Sequence, residues 1–505
     1  IYMKTKKILL NFVTDVVPLI IISILGIYKM KLFIKVLGDE TLGLYQLFSQ
    51  VMVYVALVDG GLSNAVLFSL YKPNAEHDKK KFNALLAGSF KSFSFIGIIV
   101  FTLSLLCSFF IPLLIKDCSF DYWYIILTFL LFSLSSVIGY FFVPYNCLLE
   151  VKEKKYIYNL TSQIGQIVLS ACEIIMLLCD VKFEIILLMH SIVKLLSYLT
   201  EVYICKKEYP DINLLQEERD FSFKSHIKSL IFHKINGLVG SNIDVLIISS
   251  FMGLKSVAIY STYNYIINML KNILGKIESS MTAIVGNSLV NAKNKLYDLY
   301  EEFDSMLFFI AIVICVPLTL AINDFITIWY EGEIVTSFLI AISFTSLLFG
   351  FIIKMDTTLF VSAGGLYKET KICALTDTIV NLVLSLILIN YFGIAGVIIA
   401  TTISVFIAEY IFKTIVVHKI IFKLSASSYF IKNIKFFVLY IVDLIGSYYI
   451  ISLININNIF IWFLVFVIFT LINAMIIFYI FYLFKEINFI KRFKLVSKVK
   501  IKNKK

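Results

Sequence analysis

The chain is poor in the residues that mark catalytic, nucleic-acid-binding or metal-binding proteins. It has only two arginines, Arg219 and Arg492, and six prolines among 505 residues. Charged residues make up 16%, against roughly 25% in an average soluble chain. The formal charge is +11, but nearly every basic residue is a lysine. No arginine-and-aromatic platform for bases is present, so no nucleic-acid partner is expected. There is no G-x4-G-K-[ST] loop, hence no ATPase engine within the chain. HExxH and CxxC patterns are absent, and the eight cysteines lie mostly inside apolar runs as small hydrophobes. No metal and no cofactor are expected. The longest break between apolar runs, Lys206–Lys228, is too short for a catalytic domain, so the chain does not read as an enzyme.

What is present is apolar sequence: 60% of the residues, with a mean hydropathy of +0.90. It comes in solid blocks of about 20 residues, the length that crosses a ~30 Å hydrocarbon layer. Transmembrane β-strands would instead alternate over ~10 residues. The expectation is an all-α polytopic membrane protein of about fourteen transmembrane helices. They fall near 8–28, 45–70, 84–114, 122–148, 157–179, 183–204, 229–252, 256–289, 304–322, 335–362, 370–390, 394–417, 434–454 and 459–484. The first block runs on without a small-residue cleavage site, so no cleavable signal peptide is expected. Short connectors make successive helices antiparallel neighbours. Lys206–Lys228, with Pro210 and Glu217-Glu218-Arg219-Asp220, reads as a surface connector between two halves.

Fourteen spans place 32 basic residues on one side and 6 on the other. The rich side includes Lys79-Lys80-Lys81, Lys154-Lys155, the connector and the tail from Lys485. By the positive-inside rule that side is cytoplasmic, and an even span number puts both termini there.

The sequence repeats itself at a shift of about 215 residues. Leu37-Gly38-Asp39-Glu40-Thr41-Leu42-Gly43-Leu44-Tyr45 parallels Met252-Gly253-Leu254-Lys255-Ser256-Val257-Ala258-Ile259-Tyr260. Both read apolar-Gly-x3-apolar-small-apolar-Tyr, at the external turn between the first two spans of a half. Lys152-Glu153-Lys154-Lys155 likewise parallels Lys368-Glu369-Thr370-Lys371, before a fifth span. Two parallel six-helix repeats follow, with two C-terminal helices outside them. The expected division is residues 1–205 as one lobe, 206–228 as a cytoplasmic connector, 229–417 as a second lobe, and 418–505 as helices 13–14 with a basic tail. Repeats of this kind mark secondary transporters.

This turn motif, the six-plus-six repeat and the two added helices resemble the multidrug/oligosaccharidyl-lipid/polysaccharide exporter superfamily. Within it they look most like the Wzx-type O-antigen or capsule repeat-unit flippases. The resemblance implies alternating access of two lobes around a V-shaped cavity lined by spans 1, 2, 7 and 8. It implies translocation of undecaprenyl-pyrophosphate-linked oligosaccharide across the cytoplasmic (inner) membrane of a bacterium. The implied partners are that lipid-linked oligosaccharide, membrane lipid, an H+ or Na+ coupling ion, and polysaccharide-assembly proteins. Two alternatives stay open: an ion-coupled multidrug antiporter of the same superfamily, and a membrane-embedded polysaccharide polymerase or ligase.

Charges inside the membrane are expensive and usually face a bundle interior or water. Here they gather on a few spans: Asp15 on the first, Asp59 on the second, Asp244 on the seventh, and Lys271, Lys276 and Glu278 on the eighth. On the eighth span Asn264, Asn268, Lys271, Gly275, Glu278 and Thr282 are spaced 4, 3, 4, 3, 4, one stripe along a helix. That stripe reads either as a wet cavity wall, whose lysines attract a pyrophosphate or acidic sugar, or as a structural Lys–Glu pair. Asp244 reads as a coupling-ion site or as a satisfied hydrogen bond. Asp59, before Gly60-Gly61, reads as a hinge or as local support for a bend. Lys354 and Asp356, two residues apart on the tenth span, cannot share a helix face; Lys354 is a cavity candidate and Asp356 a coupling-ion candidate. Glu173, Lys194, Glu201, Asp377, Glu409 and Lys413 read as snorkelling or bundle-paired groups on outer helices and span ends.

Overall fold

The computed structural model describes residues 2–212, 214, 218–226, 243–291, 296–451, 454, 456 and 458–487, with backbone alone at 2–17, 225, 226, 277, 279, 280, 283, 284, 290 and 291. The protein is all-α, 86% helix, with no strand among the described residues. The chain divides into two compact units, Ile1–Ala258 and Ile259–Lys505.

The first unit holds α1 (Tyr2–Leu37), α2 (Asp39–Val55), α3 (Leu62–Ala75), α4 (Lys79–Ser108), α5 (Tyr122–Tyr140), α6 (Val143–Val151), α7 (Lys155–Leu178), α8 (Phe183–Glu208) and α9 (Asp244–Met252). Next comes α10 (Leu254–Asn291), which starts in the first unit and continues into the second. The second unit continues with α11 (Leu296–Trp329), α12 (Phe338–Ile353), α13 (Met355–Gly364), α14 (Lys371–Phe392), α15 (Ile394–Phe422), α16 (Ser427–Ile451) and α17 (Ile459–Leu483).

Eleven stretches among the described residues are long and apolar enough to cross a membrane. They coincide with the second to sixth and ninth to fourteenth expected spans. The first and eighth expected spans lie in α1 and α10, of 36 and 38 residues. At 1.5 Å per residue each exceeds the ~30 Å layer. Of the seventh expected span, α9 is seen; 229–242 lie outside the described residues.

The repeated turn motif has one backbone solution in both places. Gly38 ends α1 at φ 87° and ψ 163°, and Gly253 ends α9 at φ 81° and ψ −179°. Only glycine adopts that region without strain. The small residue later in the motif also has a physical cause: a Cβ on Gly43 would lie 2.1 Å from the Leu254 carbonyl oxygen. The two copies of the motif therefore touch, backbone to backbone, within the first unit.

The bend expected in the second span is a full break. After α2 comes a 3-10 turn, Ala56–Asp59, then two left-handed glycines, Gly60 (φ 56°) and Gly61 (φ 81°). Asp59 Oδ1 accepts the Gly61 N–H at 2.8 Å, which satisfies a donor that the broken helix frees.

At the Lys79 end of α4 the break lets α3, α4 and α6 close on a shared core of Leu62, Val66, Leu70, Leu86, Phe93 and Leu148. The connector, most of whose described residues are exposed, also contributes to that core. Phe223 is 0% exposed and Leu214 7%. The Asp220 N–H donates to the Ala84 carbonyl at 2.9 Å, and the Asp220 backbone lies directly against Gly88. Outside the core, Lys79 pairs with Asp211 at 2.8 Å and Lys80 with Glu218 at 3.1 Å. The Lys79 hydrogen bond and charge hold the Asp211 carboxyl below the usual aspartate range. The connector carries as many acids as bases, and its Asp211 and Glu218 are the ones that meet the lysine-rich helix end.

In the second unit α11 is the central helix: 72% of its most apolar window is buried, against 6% for the equally apolar α17. α17 lies along the outside, anchored by the Trp462 Nε1–H donating to the Ala321 carbonyl at 2.8 Å. Its remaining face is aliphatic and aromatic, as a lipid-facing helix requires. α15 is not a regular α-helix. It widens into π-helical stretches at Val405–Phe412 and His418–Phe422.

Candidate functional site

In the first unit α2, α5, α6, α7 and α8 surround a cavity of about 520 Å3. Its polar wall is Tyr45, Ser49 and Asp59 from the α2 segment, Ser136 and Tyr140 from α5, Asn146 from α6, Tyr158 from α7, and Lys194 and Tyr198 from α8. A second cavity of about 180 Å3 shares Tyr158, Lys194 and Tyr198 and adds Ser162, Gln166 and Glu201. Glycines make this room. A Cβ on Gly139 would meet the Tyr198 hydroxyl at 2.9 Å, and Tyr198 lies flat on Phe142 with centroids 5.0 Å apart. Lys194 Nζ donates to Ser135 Oγ at 3.3 Å, and the Asn146 amide, turned to satisfy both groups, donates to Glu201 Oε2 at 3.0 Å. The wall thus offers hydroxyls, an amide, an ammonium and carboxylates between aromatic faces. Such a surface suits a polyhydroxylated or phosphorylated ligand.

Beside it lies a buried ion-pair triad. Glu173 accepts from Lys29 at 2.8 Å and meets His190 Nε2 at 2.5 Å, with Glu173 and His190 both under 5% exposed. Tyr45 touches both sites, its ring at 6.0 Å from that of His190. Lys29, one of the six basic residues counted on the base-poor side, is a bundle-paired residue.

In the second unit several expected residues converge. Lys271 Nζ sits 5.6 Å from the Phe351 ring centroid, and Lys354 Nζ 5.8 Å from the same centroid. Lys354 also reaches Glu409 at 3.3 Å, and Lys413 pairs with that same carboxylate. Glu278 feels the charges of both Lys354 and Lys413, and so does Asp377. The result is a partly buried belt of alternating charge on α10, α12, α14 and α15. Lys413 and Glu409 are bundle-paired, one of the two readings given to them, with side chains 15% and 11% exposed. Sequence spacing allows that i,i+4 pair but not its Lys354 partner, because α12 and α15 meet only in three dimensions.

The polar stripe of α10 faces away from its unit's core. Tyr263, Ile267, Leu274 and Val285 are buried, whereas Asn264, Lys271, Gly275, Glu278 and Thr282 are half-buried and Asn268 and Lys276 exposed. A Cβ on Gly275 would find nothing within 4 Å. Asp244, at the start of α9, is 6% exposed and within electrostatic reach of Tyr54. Asp356 is 0% exposed inside the second unit. Asp15 lies on α1 with its side chain outside the described residues.

No family model and no curated sequence matches the chain. Solved structures do share its fold. A lipid II flippase, MurJ, in an inward closed conformation superposes with a TM-score of 0.70 at 19% identity, over 92% of this chain and 98% of that one. An inward-facing multidrug resistance MATE family transporter of the MOP superfamily gives 0.63 at 16% identity, over 77% and 92%. A MOP superfamily transporter from Pyrococcus furiosus gives 0.53 at 15% identity, over 81% and 95%. The chain has the fold of these flippases and transporters and is a multi-pass membrane protein.

Proposed function

We propose that the protein is a flippase that moves an undecaprenyl-pyrophosphate-linked oligosaccharide, of O-antigen or capsule type, across the cytoplasmic membrane of a bacterium by alternating access. The carrying observation is the extent of the fold likeness. The lipid II flippase accounts for 92% of this chain, whereas the MATE transporters account for 77–82%. The two helices outside the six-plus-six repeat argue against a drug antiporter, for which the resemblance implies twelve spans.

The chemistry of the two units supports the same reading. Lys271, Lys276 and Lys354 are the cations that a pyrophosphate would meet. The tyrosine, serine and asparagine wall of the first unit fits sugar hydroxyls. Asn264, Asn268, Asp59 and Asp15 belong to the same proposed path, and Glu278 adds a negative charge to the stripe that carries Lys271. Asp244 is a proposed coupling-ion residue. Both termini and the lysine-rich loops are proposed to be cytoplasmic: reporters fused after Lys81, Lys155, Asp220 and Lys423 then report cytoplasm, and one after Asp117 reports the outside.

The deciding experiment deletes the gene and asks on which membrane face the lipid-linked glycan accumulates. Accumulation on the cytoplasmic face supports the flippase. Unpolymerised glycan accessible only from outside refutes it in favour of a polymerase. Normal glycan export with loss of drug resistance refutes it in favour of an ion-coupled multidrug antiporter, the reading that the MATE likeness keeps alive.

A further inference from the structure

The second unit contains a buried polar hub that the charge belt does not use. It is built where α11, α13, α15 and α16 meet. Tyr429 donates its hydroxyl proton to Asp304 Oδ1 at 2.7 Å, and Asn433 Nδ2 reaches the same oxygen at 3.3 Å. Asp356 Oδ1 accepts from its neighbour Thr357, whose hydroxyl in turn meets Tyr300 and Thr414 at 3.0 Å each. His418 Nδ1 lies 2.9 Å from the Thr414 carbonyl, so that nitrogen carries the hydrogen. The His418 ring is 4.9 Å from that of Tyr429 and 5.2 Å from that of Tyr300. Asp304, Asp356, Tyr300, Tyr429, Asn433 and His418 are each no more than 2% exposed.

The hub is short of positive charge and of donors. Three buried acceptors lack a hydrogen bond of normal geometry: Asp356 Oδ2, Asn433 Oδ1 and His418 Nε2. The Tyr300 and Tyr429 hydroxyls face the Asp356 carboxyl, so Tyr429 stands between the two acids. The nearest cations form their ion pairs with other carboxylates, although the Lys432 charge reaches Asp304. Lys432 pairs with Glu301 at 3.1 Å and Glu486 at 3.5 Å, and Lys354 turns to Glu409 and Phe351. Other titratable groups that face the hub are Tyr297 and Glu301 on α11 and Tyr410 on α15; the charge of Glu301 reaches His418 and is paired with Lys432. Two carboxylates without a partner cation are not tolerated in such an interior. Among the described residues no group of three His, Cys, Asp or Glu side chains is placed to hold a metal ion. A proton is the neutraliser that needs no further ligands.

We propose that Asp304 and Asp356 hold one proton between them across the Tyr429 hydroxyl, and that this site exchanges the proton during transport; the second clause rests on the flippase reading. Such a site would make the cargo's passage answer to a proton gradient. A departing proton leaves two like charges in an apolar core, which forces α13 and α16 to shift or water to enter.

The test uses the full chain in lipid nanodiscs. Infrared difference spectra between neutral and alkaline pH should show a protonated-carboxyl band in the wild type. It should vanish in Asp304→Asn and in Asp356→Asn, since one remaining acid can stay charged. Should either variant fail to fold, Tyr429→Phe keeps both acids and removes only the bridge; the band should then titrate about one pH unit or more away from its wild-type position. A thermal midpoint independent of Na+ is expected. Absence of the band in the wild type, a band unmoved by Tyr429→Phe, or Na+-dependent stabilisation lost in Asp304→Asn would each overturn the proton site. Glycan export is scored separately in cells. Wild-type export by a variant that lacks the band removes the coupling role and leaves the flippase standing. A band that behaves as expected in a protein that exports no glycan leaves the proton site standing and removes the flippase.

Discussion

Replacing Phe223 with alanine should release the connector from the first unit without unfolding the helices. The phenyl ring is wholly enclosed by α3 and α4 side chains. Removing such a ring typically costs about 3–5 kcal/mol, the sum of lost transfer energy and an unfilled cavity. The loss falls on a local equilibrium, the docking of residues 218–226, rather than on the helix bundle. At about 1.4 kcal/mol per tenfold, the population of released connector should rise by roughly two to three and a half orders of magnitude. Arg219 and Lys224 are both exposed and lie within the segment on either side of Phe223, so trypsin gives a direct assay. When reclosing outpaces cleavage, the cut rate follows that population. Gly88→Ala attacks the same contact from the other side. It should stabilise α4 by roughly 1 kcal/mol through helix propensity, yet its Cβ would meet the Asp220 carbonyl at 2.1 Å. Faster cleavage in a protein with an undiminished helix signal is therefore expected from both variants, and Phe223→Leu should fall between. Cleavage at the wild-type rate in both Phe223→Ala and Gly88→Ala would refute the docked connector.

Three further outcomes follow from the site. Gly139→Val should push Tyr198 off Phe142 and shrink the first unit's cavity, lowering glycan export at unchanged protein level; unchanged export would remove that cavity from the path. Lys271→Ala should impair export more than Lys368→Ala, an exposed loop change, and Lys271→Arg should retain part of the function; full export by a stably expressed Lys271→Ala protein would exclude cargo contact. Glu409→Gln leaves Lys354 and Lys413 without their shared carboxylate and should cost about 3 kcal/mol, the low end for breaking a buried pair because Glu278 and Asp377 lie near. The thermal midpoint should fall by several degrees and recover in part with Lys413→Gln added; a midpoint that does not move would show that the belt carries no stability.

The helices were legible because their apolar blocks are longer than any other pattern tolerates, and the repeat was legible because glycine is required at Gly38 and Gly253 by one unusual backbone turn. The stripe on α10 could be read because its members are neighbours on one helix. The hub could not. Asp304 and Asn433 are 129 positions apart, and tyrosine is counted among the hydrophobic residues of the composition, so Tyr300, Tyr410 and Tyr429 hid inside their spans. The belt was half legible for a related reason: Lys413 finds Glu409 four residues back on its own helix, but nothing in the spacing says that Lys354 joins them. The connector's docking escaped notice because one phenylalanine among charged residues does not look like a core residue until Gly88 gives it a place to lie.

The π-helical stretches of α15 bear on how this protein can change over generations. A π-turn is an α-helix with a residue inserted, and each insertion rotates everything beyond it by about 100°. Glu409, on the charge belt, and Tyr410, beside the hub, sit within the first stretch, and His418 opens the second. Loss of one residue between Val405 and Phe412 would restore a regular helix and turn one of these faces out of register with its partners. Such a deletion would be silent in composition and hydropathy and severe in effect. Lineages that carry this fold without the widened helix must therefore build either the belt or the hub from other positions, and an alignment through Val405–Phe412 should show a length difference there before it shows a change of residue.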